Sequence, residues 1–128
     1  MYYQATDKAL EDLLETCGWC THVLVTNSDN GYHPNFLRDT LGAGRDLVAV
    51  DFVTQGEALD VNIGVGGIDL GAVLVSRRAL ELIRGYLPAL PEAAKAKDVH
   101  DADYWFVRRG VDLGCTTKLI HEVLFYHH

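Results

Sequence analysis

The sequence predicts an α/β fold built in packed layers. Three observations lead there. Short runs of apolar, β-branched residues read as strands, amphipathic stretches at helical spacing stand before and after them, and turns rich in Gly, Asn and Asp divide the two. Residues 6–17 read as the first helix, because Leu10, Leu13, Leu14 and Cys17 recur on one face. Thr6 is placed to cap it and Gly18 to stop it. Residues 22–26 follow as a strand. Its apolar residues are consecutive, which predicts a strand covered on both faces. It breaks into Asn27-Ser28-Asp29-Asn30-Gly31, a dense turn signal.

Residues 34–41 predict a short helix and 47–53 a second strand. Residues 61–65 and 68–76 predict a third and a fourth, separated by Gly66-Gly67. Residues 77–86 read as a helix with Leu80, Ile83 and Leu87 on one side, and Pro88 and Pro91 break the pattern. Residues 101–109 predict another helix. Residues 119–126 fit a strand or a helix by pattern, with the flanking context favouring a closing strand.

The chain has 128 residues, enough for one domain with one core, and 48% of them are hydrophobic against 23% charged, an ordinary balance for a globular protein. No apolar run reaches the roughly 18 residues that span a bilayer. Met1-Tyr2-Tyr3-Gln4 lacks the basic and apolar regions of a secretion signal, so the expected location is cytoplasmic. The formal net charge of −7 argues against nucleic acid as a partner. It leaves room for a diphosphate, because a divalent cation bridges acidic side chains to phosphate.

Three cysteines, Cys17, Cys20 and Cys115, are an odd count and a poor disulfide framework, which points to a reducing compartment or a neutral role. Cys17-Gly18-Trp19-Cys20 is a C-x-x-C. It stands at the end of a helix, where the dipole has the wrong sign to activate a thiol. One such pair without a second is also a weak zinc signature.

In α/β sheets, ligands gather beyond the carboxyl ends of strands. That rule singles out Asn27, Asp29 and Asn30. Asp29 offers a carboxylate to a hard cation such as Mg²⁺, which commonly takes one or two carboxylates plus substrate phosphates. The same cluster is also an ordinary turn.

Three blocks carry a family resemblance. Residues 20–30, followed by Tyr32, Pro34 and Phe36-Leu37, resemble the strand and Asp-x-Asp segment of GT-A glycosyltransferases of the family-2 type. Asn27 stands at the first acidic position and Asp29 keeps the second. Asp69-Leu70-Gly71-Ala72, with the strand that runs into Arg77-Arg78, resembles the family's Gly-Ala strand and Arg-containing helix. Asp103-Tyr104-Trp105-Phe106, then Gly114 and a closing run to His127-His128, resembles its Asp-aromatic helix and final strand. Ala102 replaces the Glu that normally precedes that Asp.

The resemblance implies a partial GT-A fold with a mixed sheet flanked by helices. It implies transfer of a sugar from a nucleotide-diphosphate donor to a glycan or other hydroxyl acceptor, with inversion, aided by Mn²⁺ or Mg²⁺. Asp103 would be the general base. Asn27, Asp29 and Asn30 would bind the donor, and Asp69, Gly71, Tyr104 and Trp105 the acceptor. Asp29, His127 and His128 would hold the metal. Asp103 also has a plain reading as an acid in the first turn of a helix, and His127-His128 as a frayed end.

The family's domain begins with a βαβ unit for the nucleotide, and residues 1–128 start after it. The expectation is one partial domain: a fragment, a chain that pairs with another, or an inactive remnant that serves as a binding or interaction module. Missing strands leave sheet edges open, which predicts self-association or pairing with a partner.

Overall fold

The computed structural model describes residues 2–91 and 101–127. Helices α1 (Tyr2–Thr16), α2 (Phe36–Gly42), α3 (Arg77–Ile83), α4 (Tyr86–Ala89) and α5 (Ala102–Asp112) accompany one sheet. Its strands are β1 (His22–Val23), β2 (Gly31–Tyr32), β3 (Leu47–Thr54), β4 (Glu57–Leu59), β5 (Val73–Ser76) and β6 (Thr117–His127). They run in the order β1-β5-β3-β6-β2, with β4 paired to the far end of β3. The sheet is mixed, as expected. β3 and β6 pair in parallel, and the other pairs are antiparallel.

The core explains why β3 is apolar on consecutive positions. Leu47 and Ala49 join Val73 and Val75 under Leu10, Leu80, Ile83, Tyr86 and Phe106, so α1, α3, α4 and α5 share one face. Val50 and Phe52 point the other way, with Phe36 of α2, Leu124 and Phe125. Both faces of β3 are therefore covered. Asp51 interrupts this run at 6% exposure, with Oδ1 accepting from the Val61 amide at 2.7 Å and from His121 Nδ1 at 3.2 Å. These bonds satisfy a carboxylate that burial alone would penalise.

Several expectations are corrected. α1 begins four residues before Thr6, which lies inside the helix and does not cap it. The strand expected over 22–26 pairs only at His22 and Val23, and it is a half-buried edge strand rather than one covered on both faces. The strand expected over 61–65 is a loop, curled so that the Asn62 amide donates to the Gly67 carbonyl at 2.9 Å. Over 68–76 only residues from Val73 onward pair, after a single 3₁₀ turn (Leu70–Ala72).

The helix expected over 77–86 breaks at Arg84, whose φ is 78°, and Asp7 of α1 then accepts from the Tyr86 and Leu87 amides at 2.7 and 2.9 Å to start α4. Pro88 lies within α4, in its first turn, where a missing amide proton costs little.

Cys17 and Cys20 form a disulfide, which corrects the expectation of no framework, and Cys115 is free and buried. The chain turns tightly after α1, with the Cys20 amide donating to the Cys17 carbonyl, and this turn brings the sulfurs together. Disulfides persist in oxidising surroundings, so the reading of a reducing compartment loses its basis. Arg77 fastens the same turn by donating to the carbonyls of Leu14, Cys17 and Cys20 at 2.9, 2.6 and 3.2 Å.

The outer strands β1 and β2 have two residues each, and β2 pairs with β6 only at Phe125 and Tyr126. Among the described residues β6 therefore has no strand beside it over Thr117–Val123 on the side away from β3, an open edge of the kind expected. Among the described residues no helix is long and apolar enough to cross a membrane.

Candidate functional site

Strand direction determines where the chemistry gathers. β1 is antiparallel to β5, and β5 to β3, so β1 runs with β3 and β6. The segments after β1, at the end of β3 and at the end of β6 therefore lie at one end of the sheet. The segments before β2 and β5 reach the same end, because those strands run the opposite way.

A cleft of about 230 Å³ opens there. Asn27, Asn30, Asp69, Gly71, Asp103 and His127 line it, all of them anticipated from the sequence. Tyr3, Val25, Thr26 and Leu70 complete the wall. Sequence reasoning missed Tyr3 and Thr26. Tyr3 belongs to no motif, and Thr26 lies in the strand block without a role of its own; only the chain path brings the start of α1 beside the end of β1.

Asp69 is the best-anchored acid in the cleft. Its Oδ1 accepts from the Gly71 amide at 3.0 Å and caps the 3₁₀ turn. Its Oδ2 meets His127 Nδ1 at 2.6 Å. A carboxylate only accepts, so the imidazole proton sits on Nδ1. In the neutral ring, Nε2 is then left as an acceptor. Such an ordered pair resembles the carboxylate–imidazole couples that orient a ring for proton transfer.

Gly71 is required by its neighbours. A Cβ there would lie 2.7 Å from the ring of Phe125 and 3.1 Å from Asn30 Nδ2. The Tyr32 hydroxyl donates to the Gly71 carbonyl at 2.6 Å and pins the strand. Burial, with Asp69 adding to it, raises the Tyr32 phenol above its ordinary pKa against a hydrogen bond with Thr26, so it stays a donor at neutral pH.

Asn30 Nδ2 donates to Thr26 Oγ1 at 3.3 Å, while its Oδ1 is buried without a partner among the described residues. An unpaired buried acceptor is costly, and such atoms concentrate where function needs them.

Asp103 stands in the first turn of α5, and its Oδ1 accepts from the Tyr104 amide at 2.8 Å. Burial pushes its pKa up from 3.8 to about 6, the nearby charges of Asp69 and Asp101 add to this, and the Tyr104 amide opposes it. A carboxyl tuned in this way is poised to exchange protons near neutrality.

The remaining expected site residues lie elsewhere. Asp29 is exposed at the turn that closes with the Asn30 amide donating to the Asn27 carbonyl at 3.2 Å, and it is not part of the cleft wall. Trp105 lines a separate groove with Arg108 and Arg109, and Tyr104 stacks edge-on against Trp105 at 4.9 Å. Neither aromatic lines the cleft. His128 lies outside the described residues.

The donor set limits how a cation can be held. Among the described residues no three His, Cys, Asp or Glu side chains converge as a metal cage. His127 is already committed to Asp69 through Nδ1. The oxygens of Asn27, Asn30 and Asp69 are of the hard kind that Mg²⁺ and Mn²⁺ take. The set suits a cation that arrives with substrate phosphates rather than one caged by protein.

Compared with known proteins, the chain matches no family model, no curated protein and no solved structure.

Proposed function

We propose that the cleft is a glycosyl-transfer site, taking a sugar from a nucleotide-diphosphate donor and passing it to a hydroxyl acceptor. One observation carries this reading. Three blocks far apart in sequence, each resembling a part of the family-2 GT-A transferases, supply the walls of a single cleft that contains a carboxyl of raised pKa.

The chemistry follows from the residues. An acceptor hydroxyl is a weak nucleophile. Asp103, mostly ionised at pH 7 yet more basic than an ordinary Asp, takes its proton as the new bond forms at the anomeric carbon. The bond to the diphosphate breaks from the opposite side, through an oxocarbenium-like transition state, and the configuration inverts. Asp69, fixed by the Gly71 amide and His127, stands ready to accept from sugar hydroxyls. A bound Mg²⁺ or Mn²⁺ supplies Lewis-acid neutralisation of the departing diphosphate. Asp29, exposed in the turn between the cleft residues Asn27 and Asn30, and the amide oxygen of Asn27 are the residues assigned to hold it. His127 is assigned to Asp69 and not to the metal.

A second reading, a sugar-binding module without transfer, is favoured by two departures from the family's pattern: Asn27 stands at the first acidic position of the turn, and Ala102 stands where a Glu normally precedes the helix Asp. Thermal unfolding separates the two. With Mn²⁺ and UDP or GDP at about 100 times the dissociation constant, binding adds about 2.7 kcal/mol and raises the midpoint by several degrees. Asp29→Ala is expected to lose that shift. No shift with either nucleotide favours the module reading. An unchanged shift in the variant removes Asp29 from the metal site.

A further inference from the structure

We propose that the β3–β4 turn and His127 form a second subsite, which binds one sugar ring of the acceptor. The inference rests on the transferase reading for the word acceptor, but not for the carbohydrate chemistry. A cavity of about 300 Å³ adjoins the cleft and is lined by Thr54, Gln55, Gly56 and His127. His127 also lines the cleft, so this residue is shared by the walls of the two cavities. With Nδ1 bound to Asp69, the ring is fixed and Nε2 is the nitrogen left for a ligand.

The lining selects the ligand class. A hydroxyl, a primary amide, exposed backbone and an imidazole provide hydrogen-bond donors and acceptors together. Among the described residues no carboxylate, ammonium or guanidinium lines the cavity, and no aliphatic side chain does. This suits neither phosphate nor lipid. It matches the mixed donor and acceptor character of sugar hydroxyls. The volume stands at the small end of ligand pockets, enough for a single ring.

The backbone supplies an independent observation. Gln55 has φ of 50° and Gly56 of 78°, the signs of a two-residue hairpin turn of type I′. Asn or Asp normally precedes Gly in such turns. Gln55 therefore occupies a left-handed conformation that its side chain does not favour, at the edge of a cavity. Unfavourable conformations of this kind cluster at ligand sites.

The test uses ¹⁵N-labelled full chain and methyl glycosides of glucose, galactose, mannose and N-acetylglucosamine as probes. At least one is expected to shift the amide resonances of Thr54, Gln55 and Gly56 and the ring of His127. Gln55→Gly retains the turn, since Gly adopts positive φ freely. It is expected to weaken that glycoside about tenfold, as for one lost hydrogen bond. The subsite is overturned if no glycoside moves these resonances, or if Gln55→Gly binds unchanged. Mg²⁺, which is diamagnetic, with UDP or GDP, read in the same spectra, reports the cleft separately. Hairpin shifts without cleft shifts keep the subsite and remove the transferase reading. The reverse removes the subsite alone.

Discussion

Asp103→Asn is expected to lower transfer at least 100-fold while making the protein more stable at pH 8. The first effect follows from the loss of the proton acceptor, a contribution of roughly 10²–10⁴ in rate. The second follows from burial. Asp103 has an ordinary pKa of 3.8 when exposed and about 6 in the cleft, so the folded state holds its proton more tightly than the unfolded chain. Below pH 3.8 both states are protonated and burial of the carboxyl carries no charge penalty. Stability falls as pH rises from 3.8 through about 6, and the full cost remains above that.

With water in the cleft screening part of the charge, the cost at pH 8 is about 2 kcal/mol. Asn is nearly the same shape, still accepts from the Tyr104 amide, and carries no charge. The variant should therefore unfold a few degrees higher than the parent at pH 8 and no higher at pH 4. Denaturation curves at the two pH values check the stability, and donor turnover with a sugar-nucleotide panel checks the rate. A variant less stable at both pH values would mean that Asp103 is a structural helix-start acid.

Phe125→Ala is expected to cost about 3–5 kcal/mol, the range for removing a buried aromatic ring. Phe125 is 0% exposed, packs against Tyr32 with ring centroids 5.1 Å apart, and closes over Gly71. Its loss empties the space between the smaller core cluster and the cleft floor. The Tyr32 hydroxyl then loses the support that aims it at the Gly71 carbonyl, and the Asp69 turn loosens with it. Urea unfolding should show a lower midpoint at an unchanged slope. Nucleotide binding should weaken in addition, measured where the variant is still folded. A cost below about 1 kcal/mol would show that the ring does not support the core beneath the Gly71 turn.

The central strands and most of the cleft were legible in the sequence. β3 is a nearly continuous apolar run, which points to the buried strand that forms, whereas the mixed pattern of β6 fits a strand or a helix and only its flanking context favours the strand. Asn27, Asn30, Asp69, Gly71, Asp103 and His127 were singled out by motif resemblance, and strand direction then collects them at one end of the sheet.

What was not legible depends on contacts between distant segments. Val61, Ile63 and Val65 alternate as a strand should. The segment is a loop because Asn62 hydrogen bonds across Gly64–Gly67 and Asp51 captures the Val61 amide. His22–Thr26 looks buried from composition, yet it lies at the edge of the sheet. The Cys17–Cys20 bridge was hidden by the odd cysteine count. Asp29 was preferred over Asn27 for its charge, but the turn places Asn27 on the cleft wall and leaves Asp29 exposed. Gln55 gave no chemical signal at all; only its φ and the cavity beside it do.

The account depends most on a cleft carboxyl held ready to accept a proton near neutrality. The most direct measurement is the ¹³C shift of the Asp103 side-chain carboxyl, followed from pH 3 to pH 9 by NMR with the unassigned signals resolved through Asp103→Asn. The account predicts a midpoint of about 6. A midpoint at the ordinary 3.8 would contradict it and leave Asp103 as one more acid at the start of a helix.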